Sequence, residues 1–507
     1  MKKMMNSIII VSFCTIVSKV LSFLSEMIIA NYLGTSMYAD AYSMISGIHA
    51  VVYPMLGIGI WSIFLPEYKK MNTKKNKNEI NAFSNKIITL FIIISLFISI
   101  IIFVFSRQII NLVSPGFSSE TKNIASLLLR IYSPYFAFSI VSSIYAAMLQ
   151  SNDKFFGSQI REVVSYLPII IIGPILYKYI GVYGFAISLI IGGIFRLLVQ
   201  IPFVDWGYKY KIDFNLKTTK VKQLIKKIPS VLVSSATDQI HTLVDKIMAS
   251  SLTVGSVASL NYGSKLINVV NGILTNSIAT VLYPKMAELI GKNKIKEANH
   301  LLKTVLITIA ILIVPCMIIG ILFSNNIVSL IYKRGSFDSQ SVLMTSSVFV
   351  GYLLGIYFIG VKSFIDKFLY ALNKNNYVMK LSIFNIIFNI ILNAILMKSI
   401  GLSGLAYATS ISSIAYIFIS LFYLYKNISY GLSDFIKKIT LIISSNIIII
   451  ISLFYLFNCF ISFWFLKIFL TTIVSIIIII IFYIVIKIDE FRFLVEFLKN
   501  FGKKADN

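Results

Sequence analysis

The sequence predicts an all-α polytopic membrane protein of about fourteen transmembrane helices, arranged as two parallel six-helix lobes with two helices appended at the C-terminus. Three observations lead there. Apolar runs long enough to cross a bilayer, about 20 residues each, recur from end to end of the 507 residues, of which 57% are hydrophobic and 13% charged. The short connections between them differ sharply in charge, some crowded with lysine and others without a cation. The first twelve helices also carry an internal repeat. With a mean hydropathy of +0.86, no soluble domain longer than a loop remains. The long Ile- and Phe-rich runs lack the short alternating strands of an outer-membrane barrel.

Taken in order, the spans are expected near residues 7–31, 37–65, 84–106, 122–150, 155–179, 182–205, 224–252, 257–287, 298–324, 339–372, 376–398, 401–426, 433–458 and 464–487. The N-terminal MKKMMNSIIIVSF looks like the start of a signal peptide. Its apolar run continues to Asn31 with no small-residue cleavage site, so a retained first helix is expected. Pro54, Gly57 and Gly59 interrupt the second run. Such breaks are tolerated where a bundle satisfies the freed backbone groups, and they allow bending.

The net charge of +26 raises the question of a nucleic-acid partner, and its placement answers it. Lys69, Lys70, Lys74, Lys75 and Lys77 form one basic loop; seven lysines between 209 and 227, four between 285 and 296, and Lys499, Lys503 and Lys504 form others. These flank spanning helices and face anionic lipid heads, so no nucleic acid is needed to explain them. The loops after the first and seventh helices, LGTSM and LTVGS, carry no cation, whereas Lys333 and Arg334 after the ninth depart from the pattern. An even number of helices with both termini in the cytoplasm fits best. Cys14, Cys316 and Cys459 are scattered in apolar segments, and His49, His241 and His300 are dispersed, so neither a disulfide nor a metal cluster is expected.

The repeat has a constant offset of 220 residues: ILYKYIGVYGFA at 175–186 returns as ILMKSIGLSGLA at 395–406. IIANYLGTSMYADA near Ala30 aligns with IMASSLTVGSVASL near Ala249, and Phe117 with Phe337, at almost the same offset. The chain therefore reads as a duplicated six-helix unit. Six is even, so the copies keep one orientation and are parallel repeats, an architecture of transporters whose halves rock about a site. The expected division is an N-lobe at 1–205, a basic cytoplasmic linker at 206–223, a C-lobe at 224–426, and helices 13 and 14 with a basic tail at 427–507.

Charges inside the apolar runs mark candidate functional residues. Lys19, Ser22 and Glu26 share one face of the first helix, with Ser25 beside them and Asp40 following. Lysine and glutamate in a span cost roughly 2.5–3.5 kcal/mol each at its centre and normally point into a bundle or a water-filled cavity. Two readings stand: Lys19 snorkels to an interface and pairs structurally, or the face lines a substrate-handling cavity. In the second half, helix 7 carries Asp238, His241, Asp245 and Lys246, and helix 8 carries Lys265. Lys19 and Lys265 come from the two halves. A cavity that they share would be cationic, and a pyrophosphate head group its natural guest. Arg196 lies in helix 6, and Lys362 and Asp366, one turn apart in helix 10, read as a structural pair or as further cavity charge.

Asn385, Asn389 and Asn393 form a stripe at spacing four in helix 11, and Thr409 follows in helix 12. With Asp245 these oxygens suit a small hard cation of the sodium type; the competing reading is hydrogen bonding between helices. No GxxxxGK[ST], HExxH or GxSxG motif occurs, and Gly57-Ile58-Gly59 alone carries no nucleotide-binding weight. No enzyme and no cofactor is expected. Transport would draw on sodium or proton coupling, on the membrane potential, or on a partner's ATPase.

DAY at 40–42 after LGTS, SPGF at 114–117, VDKIMASSLTVGSVASLNYGSKL at 244–266, ATVLYPKMAEL at 279–289 and GLSGLAYATSIS at 401–412 resemble the MurJ (MviN) family of lipid II flippases, within the MOP superfamily. The resemblance spans helices 1–12 in order. It implies a two-lobed bundle around a cationic cavity that moves a polyprenyl-diphosphate-linked sugar to the outer leaflet by alternating access. The family's cavity cations fall on Lys19, Ser25 and Lys265, with lysine for arginine at two of them. The neighbouring acid is Glu26, and a further basic position falls near Tyr53. Implied too are a bacterial cytoplasmic membrane, a phospholipid bilayer and other cell-wall synthesis proteins as partners, and a monomer. The alternatives are a Wzx-like flippase for another undecaprenyl-diphosphate saccharide and a MATE-like cation-coupled exporter. The exporter would favour an acidic cavity. A polyprenyl-sugar glycosyltransferase would need larger outer loops, and an inert scaffold would not need charge within its spans.

Overall fold

The computed structural model of the chain describes residues 2–72, 77–204, 208–215, 218–428 and 431–496. Among the described residues every regular element is helical. The expected helices are all present, several of them broken. The first span is α1 (Lys2–Leu33). The second is α2 (Met37–Tyr53), a π-turn at Pro54–Ile58, and α3 (Gly59–Asn72). Proline cannot complete an α-turn, since it lacks the N–H and its ring crowds the carbonyl four residues back. The backbone widens instead, and the Gly59 N–H bonds the Pro54 carbonyl, five residues away.

The first half continues through α4 (Lys77–Val104), α5 (Ser106–Val113), α6 (Ser119–Tyr132), α7 (Pro134–Ser151), α8 (Phe155–Ile180) and α9 (Tyr183–Leu198). After α10 (Thr219–Ala249) and α11 (Ser256–Gly291), the second half runs through α12 (Ile295–Leu322), α13 (Ser324–Tyr332), α14 (Ser339–Leu353), α15 (Ile356–Ala371), α16 (Asn375–Ile400) and α17 (Leu402–Ile428). Helices α18 (Leu432–Phe460) and α19 (Trp464–Val485) close the chain. Eleven helical spans among the described residues are long and apolar enough to cross a membrane, and twelve if α14 and α15, bent by 48°, count as one. The two remaining expected spans are α10 and α11, which carry Asp245, Lys246 and Lys265. The short helices α5 and α13 fall where the sequence reading left loops; eight or nine residues are too few for a span.

The repeat recurs in the local geometry. Ser118 caps α6 by accepting from the Thr121 N–H at 3.2 Å, and Asp338 caps α14 by accepting from the Ser341 N–H at 2.8 Å. The bonds from the Ser341 N–H and hydroxyl hold the Asp338 carboxyl below its usual range. The α8–α9 and α16–α17 hairpins turn on Gly181 (φ 61°) and Gly401 (φ 64°), a conformation nearly closed to residues with a Cβ. Asp153 and Asn373, at φ 59° and 60°, open α8 and α16 in the same way.

Two compact units result, and their border is not that of the repeat. One comprises Met1–Asn261 with Tyr332–Ser341; the other comprises Tyr262–Ile331 with Val342–Asn507. The seventh helix, α10, thus groups with the first six, because it packs on α2 and α3 and inserts Lys246 against α2. Inside the first unit the turns after α1, α10 and α13 meet backbone to backbone. Ser336 N–H donates to the Asn31 carbonyl at 2.8 Å, and Thr35 and Ser341 hydroxyls bond at 2.7 Å. A Cβ at Gly34 would overlap the Ser336 carbonyl oxygen, and one at Gly255 the Thr35 carbonyl.

Asp40 ties this joint to α11. Its carboxylate accepts the N–H groups of Gly255 (2.6 Å) and Ala258 (2.8 Å), the first turn of a helix that begins 216 residues later. A helix start with unpaired N–H groups and a positive dipole end attracts such a carboxylate. Asp40→Ala is expected to cost about 1–3 kcal/mol, the range for leaving buried donors unpaired, and Gly34→Ala at least as much through strain and overlap. Thermal unfolding of the detergent-purified protein checks both, and wild-type midpoints would refute the roles given to these residues.

Candidate functional site

Two buried polar clusters lie in the first unit. The first joins α1, α2, α10 and the start of α11. Lys246, 3% exposed, donates to the Ser43 carbonyl at 2.7 Å, the Asn261 side-chain oxygen at 3.0 Å and the Ser46 hydroxyl at 3.2 Å. The Asn261 amide in turn donates to Glu26 at 3.2 Å. Asn261 thus bridges an ammonium and a carboxylate from different helices, so both charges are solvated inside the bundle. The adjacency Asp245-Lys246 marked the position in the sequence, but two of the Lys246 partners, Ser43 and Ser46, lie some 200 residues away.

The expected polar face of α1 divides in this setting. Glu26 is buried in the cluster, and Ser25 is buried with its hydroxyl bonded to the Ser22 carbonyl of its own helix at 2.7 Å. Lys19 is exposed. Asp40, engaged by α11, holds structure in this conformation. Lys265 is half-buried and belongs to the second unit.

The second cluster joins α2, α7, α8 and α9. Arg196 of α9, 3% exposed, lies 4.8 Å from the centre of the Tyr53 ring and donates to the Tyr53 hydroxyl. The same guanidinium reaches Glu162 Oε1 at 2.5 Å, and Arg161 approaches that oxygen at 3.4 Å. His49, one turn before Tyr53, stacks on it at 5.4 Å and meets Tyr132 and Tyr135 edge-on. Arg161 and Glu162 were missed in the sequence; the signal was an Arg-Glu pair inside an apolar span. Arg196 was noted there without a partner. At Tyr53, where the resemblance leads one to expect a base and this chain has none, the positive charge comes from α9.

In the second unit, Asn389 Nδ2 donates to Thr409 Oγ1 at 3.4 Å and Asn393 Nδ2 to Asn389 Oδ1 at 3.3 Å. The stripe therefore gathers amide and hydroxyl groups between α16 and α17, as either reading requires. Asp245, buried at 3% exposure, belongs to the first unit. Lys362 Nζ lies over the Tyr416 ring at 4.8 Å, and Tyr416 donates to Asp366 at 2.5 Å, so one tyrosine serves both charges. His241 is half-buried. The side chains of Asp238, Lys220 and Lys227, and residues Lys74, Lys75, Lys217, Lys499, Lys503 and Lys504, lie outside the described residues.

The family model described as "Lipid II flippase MurJ" matches residues 29–483. The lipid II flippase MurJ of Thermosipho africanus is 30% identical over 460 residues, 89% of this chain and 90% of that protein. The probable lipid II flippase MurJ of Buchnera aphidicola (subsp. Baizongia pistaciae) is 27% identical over 434 residues, 84% and 83% of the two chains. A solved structure described as "Lipid II flippase MurJ, inward closed conformation" superposes with a TM-score of 0.81 at 28% identity, covering 95% of this chain and all of that one. A multidrug-resistance MATE transporter of the MOP superfamily, at TM-score 0.69 and 13% identity over 81% of this chain, shares the fold. With so much of its length matched, the chain belongs to the MurJ family of lipid II flippases.

Proposed function

We propose that this protein moves lipid II, a polyprenyl-diphosphate-linked cell-wall precursor, from the inner to the outer leaflet of the bacterial cytoplasmic membrane by alternating access. The observation that carries the reading is the family match across residues 29–483. The charges held within apolar spans support it, because intramembrane ionisable groups mark substrate and ion pathways. A transporter rather than an enzyme is the reading that family membership supports. The basic loops favour cytoplasmic termini. The remaining components, a monomer working beside other cell-wall synthesis proteins, rest on the resemblance.

Lys19 and Lys265 are the cations proposed to meet the diphosphate. Exposure leaves the Lys19 ammonium available to a ligand, and Lys265 is half-buried. Lysine presents a point charge with three donors, which serves a phosphate without the bidentate geometry of arginine. For the driving force we propose sodium or proton coupling or the membrane potential, which supplies about 2.3 kcal/mol per charge per 100 mV. Asn389, Asn393 and Thr409 offer the oxygens of one candidate sodium-binding group, and Asp245 offers a carboxylate elsewhere in the chain.

The test of function is rescue of a strain depleted of its own lipid II flippase, scored by lipid II in the outer leaflet. Rescue is expected from the wild type and failure from a well-expressed protein would refute the assignment. Lys19→Ala and Lys265→Ala are each expected to abolish rescue with normal membrane levels; wild-type activity in both would refute their role. Asp245→Asn is expected to remove any sodium dependence of flipping in proteoliposomes, and an unchanged dependence would refute sodium coupling through Asp245.

A further inference from the structure

We propose that Arg161 and Arg196, which share the Glu162 carboxylate, form a binding site for a phosphate-class anion, with Glu162 as the resident counter-ion that the incoming phosphate displaces. The inference rests on the flippase reading for its physiological ligand and on the geometry of α8 and α9 for the site itself.

Charge comes first. Two guanidinium groups contact one carboxylate oxygen, at 2.5 Å and 3.4 Å, which leaves one positive charge in excess among the described residues. An uncompensated charge in a membrane-embedded bundle is costly unless a partner arrives. Donor capacity agrees: the Nε groups of both arginines are buried without a hydrogen-bond partner among the described residues. The remaining bonds of Arg161 are weak, reaching the Ser142 and Ser143 hydroxyls only at 3.4 Å. A planar fork with donors in reserve matches phosphate oxygens.

The order of exposure is what displacement requires. The Glu162 side chain is 30% exposed, Arg161 13% and Arg196 4%, so the carboxylate is outermost and the cations lie behind it. Arg196 is held ready by the Tyr53 ring and hydroxyl, and the Ser142 hydroxyl bonds both the Arg196 carbonyl (3.3 Å) and Gln200 (2.8 Å).

The duplication argues against a purely structural role. At the repeat offset, Arg161, Glu162 and Arg196 correspond to Leu381, Ser382 and Tyr416. Helix α16 has the limits of α8 at the repeat offset, and the α16–α17 hairpin has the same glycine turn as α8–α9, without any of the three charges. Its Tyr416 instead bonds Asp366 and lies under Lys362, so the fold of the hairpin does not require two arginines on one carboxylate.

The test uses the purified full-length protein in phosphatidylcholine nanodiscs, titrated with inorganic pyrophosphate and, separately, with a polyprenyl diphosphate in the bilayer. Ligand-dependent thermal shift reads the affinity. Arg161→Gln is expected to weaken binding at least about tenfold, and Glu162→Gln to tighten it about tenfold, because one charge leaves or enters the excess. A structural ion pair predicts the opposite for Glu162→Gln: lower stability and no tighter binding. Arg161-dependent binding of the lipid alone assigns the site to a head group, and of both probes to phosphate in either form; each supports the proposal. Wild-type affinity for both probes in Arg161→Gln, or binding no tighter in folded Glu162→Gln, overturns it. If Glu162→Gln does not fold, Arg161→Gln decides alone. Strain rescue is scored separately. Unchanged binding in a chain that rescues overturns the site and leaves the flippase reading. Arg161-dependent binding in a chain that cannot rescue does the reverse.

Discussion

A charge carried into the apolar interior of this bundle must find an opposite charge or a full set of polar partners, and much of the first unit is arranged to meet that demand. Lys246 meets it through a carbonyl, a hydroxyl and the Asn261 amide, which passes the connection on to Glu26. Asp40 meets it through two backbone N–H groups of a distant helix. Arg196 meets it with Glu162 and the face of Tyr53. Each solution includes a partner far away in sequence: Ser43 for Lys246, Gly255 for Asp40 and Tyr53 for Arg196. The charges thus fix which helices are neighbours, a task that apolar surfaces in a lipid solvent leave undetermined.

Duplication supplied the framework and divergence supplied the chemistry. Helix limits, caps and hairpin turns recur at nearly constant offset, yet the polar residues within them do not. Position 142 is a serine that bonds Gln200, and its counterpart Lys362 lies over Tyr416. Arg196 lies over a tyrosine, and the residue at its counterpart is itself the tyrosine under a cation. A cation on an aromatic face appears in both halves, built from different helices. Geometry set by backbone survives such exchange because helix packing reads volume and spacing before it reads charge.

The architecture was legible in the sequence because its causes are local or periodic. Hydropathy set the spans, Pro54 set the break in the second, and the repeat set the correspondence between halves. The short helices α5 and α13 escaped because so few residues carry too little periodicity. The sites were legible only in part. Composition can show that Lys246, Glu26 and Arg196 stand in apolar runs; it cannot show that Asn261 connects the first two or that Tyr53 lies under the third. Asp40 illustrates the limit. Its charge within a span suggested cavity lining, whereas its partners are N–H groups 215 and 218 residues later, which leave no mark in side-chain pattern. The compact units likewise part after Asn261 and not at the repeat border, because α10 packs along α2 and α3 and inserts Lys246 against α2.

The backbone contact among the turns after α1, α10 and α13 has a mechanical corollary. At Gly34 and Gly255 main chain touches main chain, so at those two points no side chain intervenes that could rotate to take up a change in spacing. Attraction between atoms so close falls away within an ångström, by a quarter to a half for a gap of roughly 0.5–1 Å. Such a seam, inside one compact unit, fixes the spacing of the three turns with little tolerance for displacement.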